Sequence, residues 1–68
     1  MRYILAVFTE YRVFVNVKRQ WERRTENTYD EFDDLEDCKR HADMMKEHLD
    51  HEVDCEGYDI RIYELTNY

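Results

Sequence analysis

The chain has 68 residues, 40% of which are charged, and its formal net charge is −7 at pH 7. A domain of this size has a core near the lower limit for unaided folding, and it has little room for the deep cleft of an enzyme. The negative charge argues against direct binding of nucleic acid, whose phosphates attract a positive surface. We therefore expect a single small domain over residues 1–68, with no enzymatic activity and no cofactor.

The N-terminal part of the chain predicts two strands. Residues 3–8, YILAVF, form an uninterrupted apolar run of the kind found in a central strand that is covered on both faces. Residues 9–11 interrupt the run and are the predicted turn. Residues 12–25 then alternate with a period of two, which is typical of a half-buried strand. This longer strand would overhang its partner at Trp21, in a place where a second subunit can pair.

A helix is predicted to follow the second strand. Residues 26–29 are polar and predict a loop. Asp33 is the expected N-cap of the helix, and Glu36 completes a capping-box-like pair with it. The helix is expected to end at about Glu52.

The last predicted strand covers residues 58–65 and follows Gly57, which marks the turn out of the helix. Its alternation shifts phase between Ile62 and Tyr63, which indicates either a bulge or partial cover on both faces. With the first strand central, the chain predicts an α+β fold: a three-stranded antiparallel sheet (ββαβ, order 2-1-3) with one acidic amphipathic helix packed on it. The other face of the sheet would still carry apolar groups, which a homodimer would cover.

The predicted helix separates apolar from acidic residues. Apolar residues recur at intervals of three and four, which places them on one face: Leu35, Cys38, Ala42, Met45 and Leu49. At about 100° per residue, five carboxylates fall on nearly the opposite face, which we call the acidic ridge: Glu36, Asp43, Glu47, Asp50 and Asp54. Asp33 and Asp34 precede this ridge in the chain.

Charge is also segregated along the chain as a whole. Residues 1–25 contain six Lys or Arg and two acids, whereas residues 26–57 contain thirteen acids and three Lys or Arg. Such asymmetry predicts surfaces of opposite sign, and an acidic surface attracts basic partners at long range.

The cysteines and histidines form no strong motif. Cys38 and Cys55 would lie about 20 Å apart if a helix fills the interval, which is too far for a disulfide, and free thiols suit a reducing cytoplasm. His48, His51 and Cys55 have the spacing of half a zinc site, but no second pair of ligands accompanies them, so no metal site is predicted. We expect neither a secretory signal nor a membrane span, which would need about 20 consecutive apolar residues.

In size, acidity and aromatic content, and in the charge layout of residues 30–56, the chain resembles the small acidic DNA-mimic inhibitors that bacteriophages encode. Such inhibitors occupy the DNA-binding surface of a host protein, for example the histone-like nucleoid protein HU. The resemblance implies a protein of host takeover that binds a basic host DNA-binding protein in the host cytoplasm, and neither nucleic acid nor a membrane. Our inference from helical geometry is that the acidic ridge, with Asp33 and Asp34, would contact this partner.

Two other functions stay open at this stage. The chain would serve as a protein–protein adaptor or antitoxin-like module if exposed aromatic residues, chiefly Trp21 and Tyr29, contact a partner or a second subunit. It would serve as a small metal-binding regulator if His48, His51 and Cys55 bind zinc. A steep dependence of binding on salt favours mimicry, sensitivity to aromatic truncation favours the adaptor, and stabilisation by zinc favours the regulator.

Overall fold

The structure, a computed structural model, describes residues 2–66. Strand β1 spans Arg2–Val15, β2 spans Gln20–Phe32, helix α1 spans Leu35–Asp50 and β3 spans Cys55–Leu65. The strands form one antiparallel sheet in the order β2-β1-β3, and α1 packs on one of its faces. The predicted α+β fold and its strand order are confirmed.

The core lies between α1 and the first half of β1. Leu5 and Val7 point toward the helix, where they form a buried cluster with Cys38 and Leu49. The alternation of a strand places Ile4, Ala6 and Phe8 on the opposite side of the sheet. We call this opposite side the open face, because α1 does not cover it.

The predicted turn at residues 9–11 is wrong, because β1 continues through it to Val15. Thr9 is buried, and its hydroxyl donates a hydrogen bond to the backbone carbonyl of Glu26 at 3.1 Å, so the polar interruption is satisfied within the sheet. The chain reverses instead at residues 16–19. Arg19 has a positive φ of 52° there, and its N–H donates to the carbonyl of Asn16 at 3.3 Å.

The predicted loop at residues 26–29 is also wrong, because these residues belong to β2. Asn27 lies opposite Phe8 and Tyr29 lies opposite Ala6 in an unbroken antiparallel register. A polar sequence is compatible with this position because β2 is an edge strand, and charged side chains on an edge discourage pairing with other chains.

Both ends of the helix differ slightly from the prediction. The N-cap is Asp34 rather than Asp33: Asp34 has an extended backbone, and its carboxylate accepts a hydrogen bond from the Glu36 N–H at 3.3 Å. The helix ends at Asp50, two residues earlier than expected, with His51 as the C-cap.

The last strand begins at Cys55, so Gly57 lies inside β3 and does not form the turn. A register shift does occur in β3, but at Glu56: Glu10 lies opposite Gly57 and Tyr11 lies opposite Cys55. The pairing is regular at Ile62 and Tyr63, where no bulge is present. Alternation places these two apolar side chains on opposite faces of the sheet, which explains the phase shift in the sequence.

The end of the β1–β2 hairpin projects beyond the rest of the fold. Strand β3 pairs with β1 only as far as Tyr11, so residues 12–24, which we call the hairpin arm, form a two-stranded ribbon. Within the arm, the rings of Phe14 and Trp21 pack edge to face with centroids 5.4 Å apart, and the Arg12 guanidinium lies 4.8 Å from the Trp21 ring centroid. The arm gives the molecule its length of 50 Å against a width of 26 Å and a thickness of 13 Å.

Candidate partner-binding surface

The orientation of α1 is fixed by its buried residues. Because Cys38 and Leu49 point into the core, the opposite side of the helix faces outward, and Glu36, Asp43 and Glu47 are exposed there. These three carboxylates form the part of the acidic ridge that the structure brings together on one helix surface.

The other two residues of the ridge have additional roles in the fold. The Tyr58 hydroxyl donates a hydrogen bond to the Asp50 carboxylate, which ties the end of α1 to β3. This bond is the main reason why the pKa of Tyr58 is raised above its usual value, and desolvation and the Asp50 charge add to the effect. Asp54 lies beyond the helix, and its backbone carbonyl accepts a hydrogen bond from the Arg12 N–H at 2.9 Å. The ridge is therefore shorter than the sequence predicted.

The two acids before the helix also differ from each other. Asp34 uses its carboxylate to cap α1, whereas Asp33 is exposed just outside the helix. Both lie near the positive end of the helix dipole, which stabilises negative charge at this position. Asp33 can therefore extend the acidic surface beyond Glu36, while Asp34 is primarily structural.

Ion pairs within the chain neutralise most of the basic side chains. Seven of the ten Lys and Arg residues each have a carboxylate within 4 Å. In the hairpin arm, Glu22 lies between Lys18 and Arg24 at 3.1 and 2.8 Å. Hydrogen bonds from Lys18 and Gln20, with the nearby Arg24 charge, lower the pKa of Glu22.

A second shared carboxylate lies at the β3 bulge, where Glu56 approaches Arg12 at 3.9 Å and Arg23 at 3.3 Å. By contrast, no ion pair involves Glu36, Asp43 or Glu47 within residues 2–66. The carboxylates on the exposed side of α1 are therefore available to an external partner. In the arm, by contrast, four of the five Lys and Arg residues are paired with carboxylates of the same chain.

Cations on α1 limit the negative field of the ridge. The helix contains five acids and three bases, and Arg40 pairs with Asp37 at 3.2 Å rather than with Glu36. Lys39 and Lys46 lie on the flank between the ridge and the sheet, since they follow Glu36 and Asp43 by three residues. The ridge is a narrow acidic strip and not a uniformly negative surface.

The histidines are engaged individually and form no ligand cluster. His41 packs on Phe32 with ring centroids 4.7 Å apart, and its Nδ1 lies 2.9 Å from the Asp37 carbonyl oxygen. His48 approaches Glu52 at 3.9 Å. No three His, Cys, Asp or Glu side chains in residues 2–66 are arranged to hold a metal ion, so the proposed grouping of His48, His51 and Cys55 is not formed.

The two cysteines are free thiols, as the sequence predicted. Cys38 is fully buried, and desolvation raises its pKa. Cys55 is partly exposed, and its thiol donates to the Gly57 carbonyl at 3.4 Å. The environment of Cys38 is therefore not that of an activated nucleophile, which needs a lowered pKa.

No protein-family model matches the chain, and neither does any curated protein or any solved structure. Function is therefore inferred from the surfaces of this chain alone. No helix in residues 2–66 is long and apolar enough to cross a membrane.

The open face is a second exposed surface, and its extent was missed in the sequence. Tyr29 is 61% exposed and Trp21 is 55% exposed, and alternation places both on this face with Phe8, Phe14 and Tyr63. The wrong assignment of Tyr29 to a loop hid this grouping. The alternation of Ile4, Ala6 and Phe8 was the available signal.

Proposed function

We propose that this protein is a non-enzymatic inhibitor whose acidic ridge binds a basic DNA-binding protein in place of DNA. The observation that carries the proposal is the exposure of Glu36, Asp43 and Glu47, none of which is paired with a cation in the described chain. A histone-like nucleoid protein such as HU is a suitable candidate partner, because sequence-independent binding to DNA depends on Lys and Arg contacts to phosphates.

The spacing of the carboxylates supports this kind of recognition. Asp43 and Glu47 are four residues apart on α1, so their side chains lie about 5–6 Å from each other. Adjacent phosphates of a DNA strand are separated by a distance of the same order, given about 3.4 Å of rise per nucleotide and the winding of the strand. A row of Lys or Arg that contacts successive phosphates can therefore contact this row of carboxylates. Asp33 would lengthen the row at the start of the helix.

The test is a competition in which this protein displaces labelled duplex DNA from HU. We expect displacement at about 50 mM salt and little at about 500 mM, because salt screens contacts between exposed charges. The informative variant combines Glu36→Gln, Asp43→Asn and Glu47→Gln, which removes three charges that make no ion pair in the described structure. We expect it to bind at least about tenfold more weakly, since charged contacts in the interface are lost.

A matched control separates the ridge from net charge. Glu26→Gln, Asp30→Asn and Glu64→Gln remove the same number of charges from exposed positions on the sheet. We expect this control to compete almost as well as the unaltered protein. Equal losses in the two triple variants would mean that only overall charge matters. Full binding by the ridge variant would reject the ridge as the site, and absence of displacement at either salt concentration would reject HU as the partner.

A further inference from the structure

We propose that a second copy of this chain covers the open face, in a two-fold dimer whose two sheets pack face to face and whose two helices lie on the outside. The interface would consist mainly of Phe8, Tyr29, Tyr63, Trp21 and Phe14 from each copy.

The single chain exposes more surface than a compact protein of its mass. Its accessible area is 5617 Å², whereas a monomer of 8.6 kDa is expected to expose about 4,700 Å². The radius of gyration is 15.0 Å, against about 11 Å for a compact domain of this length. The excess area, about 900 Å², is close to the roughly 800 Å² that each partner buries in a standard interface.

The middle of the open face combines aromatic residues typical of an interface with an ion pair between Arg61 and Asp59 at 2.8 Å, which lie opposite Ala6 and Phe8. Ala6 is fully buried beneath its neighbours, and the Phe8 and Tyr29 rings meet at right angles beside it, with centroids 6.1 Å apart. Tyr29 nevertheless leaves 61% of its surface in water. An aromatic residue of this kind is a common anchor in protein interfaces.

A shallow depression lies beside these aromatic residues. It has a volume of about 340 Å³, and its lining includes Phe8, Asn27, Gly57 and Asp59. The depression exists because Gly57 has no side chain, although the backbone does not require glycine there: an added Cβ would meet only a Glu10 carboxylate oxygen, at 3.9 Å. The depression therefore offers space for an aromatic side chain of the second copy.

The charges at the two ends of the sheet select the orientation of the second copy. The hairpin arm, residues 12–24, contains five Lys or Arg and one acid, and a net positive charge of three remains when the paired Glu56 is included; residues 30–34, before the acidic ridge, contain four acids and no base. These segments lie toward opposite ends of β1, because the arm follows Arg12 and Phe32 lies opposite Tyr3.

A two-fold axis that lies between the sheets and runs across the strands places each arm beside the acidic end of the other copy. An axis along the strands would bring the two arms together, where like charges repel. Because Phe8 is near the middle of β1, the axis passes close to it, and Asn27 lies directly opposite Phe8 in the sheet.

This dimer leaves the acidic ridge accessible. Helix α1 lies on the other side of the sheet, so neither copy covers the ridge of its partner. Failure of the dimer would therefore leave the proposed function standing, and failure of the competition with HU would leave the dimer standing.

The first experiment measures molar mass by sedimentation velocity for the unaltered chain, for Tyr29→Glu and for Met44→Glu. The two variants introduce the same charge at similarly exposed positions, because Met44 is 60% exposed on α1. We expect the unaltered chain and Met44→Glu to sediment as two chains at about 50 µM, and Tyr29→Glu to dissociate with a Kd raised at least about tenfold. The proposal would be overturned if the unaltered chain were monomeric at about 1 mM, or if Tyr29→Glu formed the dimer with an unchanged Kd.

The second experiment tests the geometry of the dimer directly and needs no variant that weakens dimerisation. Asn27→Cys places a thiol beside the expected axis, and Lys46→Cys places one on an exposed flank of α1, on the other side of the sheet. With the partly exposed Cys55 replaced by Ser in both variants, a short bismaleimide should join two copies of Asn27→Cys and should not join two copies of Lys46→Cys. Absence of cross-linking in Asn27→Cys, in a protein that still sediments as two chains, would contradict the face-to-face arrangement. Binding of a short single-stranded oligonucleotide to the open face of a monomer would contradict it as well.

Discussion

The two ends of β1 have similar apolar sequences and very different surroundings. Leu5 and Val7 are 2% and 3% exposed, whereas Val13, which points to the same face of the same strand, is 36% exposed. The difference arises because α1 is about 24 Å long and β1 is about 46 Å long, so the helix covers only part of the strand. An apolar pattern therefore identifies a surface that needs cover without identifying what provides it.

The largest expected effect comes from truncating the covered end of β1. Leu5→Ala should lower the free energy of unfolding by about 2–5 kcal/mol, because it removes buried contacts and leaves a cavity beside Cys38. Val13→Ala in the hairpin arm should cost less than about 1 kcal/mol, since Val13 is already partly in water. Urea denaturation of both variants measures the difference. Equal losses at the two positions would mean that the arm is as tightly packed as the core.

A polar atom in the core should produce the next largest effect. Cys38→Ser replaces a buried thiol with a hydroxyl that must be desolvated, which should cost about 1–3 kcal/mol. Cys38→Ala serves as the size control. In the folded protein Cys55 should react with a thiol reagent well before Cys38, because Cys38 is buried and its pKa is raised. Mass spectrometry of the labelled protein identifies the first site, and initial labelling of Cys38 would contradict this account of the core.

Loss of the helix N-cap should destabilise the protein by less than either change in the core. Asp34→Ala should destabilise the protein by about 1 kcal/mol, because the Glu36 N–H loses its acceptor. Asp33→Ala should have little effect, since Asp33 lies outside the helix. Thermal unfolding of the two variants at the same concentration decides between them. A larger loss of stability for Asp33→Ala would indicate that Asp33 is the N-cap, as the sequence predicted.

The Tyr58–Asp50 hydrogen bond should make stability depend on alkaline pH. The pKa of Tyr58 is raised in the folded state, so the stabilisation is fully present below the usual tyrosine pKa of about 10 and is lost as pH rises through the folded value. We expect the melting temperature of the unaltered protein to fall more between pH 8 and pH 11 than that of Tyr58→Phe. The comparison removes the contribution of the other tyrosines. Parallel curves would show that this bond contributes nothing to folding.

The smallest expected effect lies at the tip of the hairpin arm. Arg19 has a φ of 52°, which costs a non-glycine residue about 1 kcal/mol or more. Arg19→Gly removes this strain but also makes the unfolded chain more flexible, so the net gain should be a few tenths of a kcal/mol. Differential scanning calorimetry should show a slightly higher melting temperature, with Arg19→Ala as the control that keeps the strain. A lower melting temperature for the glycine variant would contradict the assignment of strain.

Three positions show why sequence patterns predicted the helix and strands better than they predicted where these elements end and what their side chains contact. Thr9 looked like part of a turn because it is polar, but a carbonyl seventeen residues later satisfies its hydroxyl. Tyr29 looked like part of a loop because its neighbours are polar, but β1 supplies a pairing partner for every residue of β2. Asp50 looked like a ridge residue because helical geometry places it there, but Tyr58 reaches it from β3.

The sequence by itself determined the order of the elements, the central place of the first strand, the amphipathic helix and the separation of the two cysteines. These features follow from spacing along the chain, because periods of two and 3.6 residues are properties of the backbone. Only the tertiary structure decided where the hairpin turns, which aspartate caps α1, which carboxylates stay exposed and which aromatic residues share the open face. Each of these depends on a partner distant in sequence, and no local pattern encodes the position of that partner.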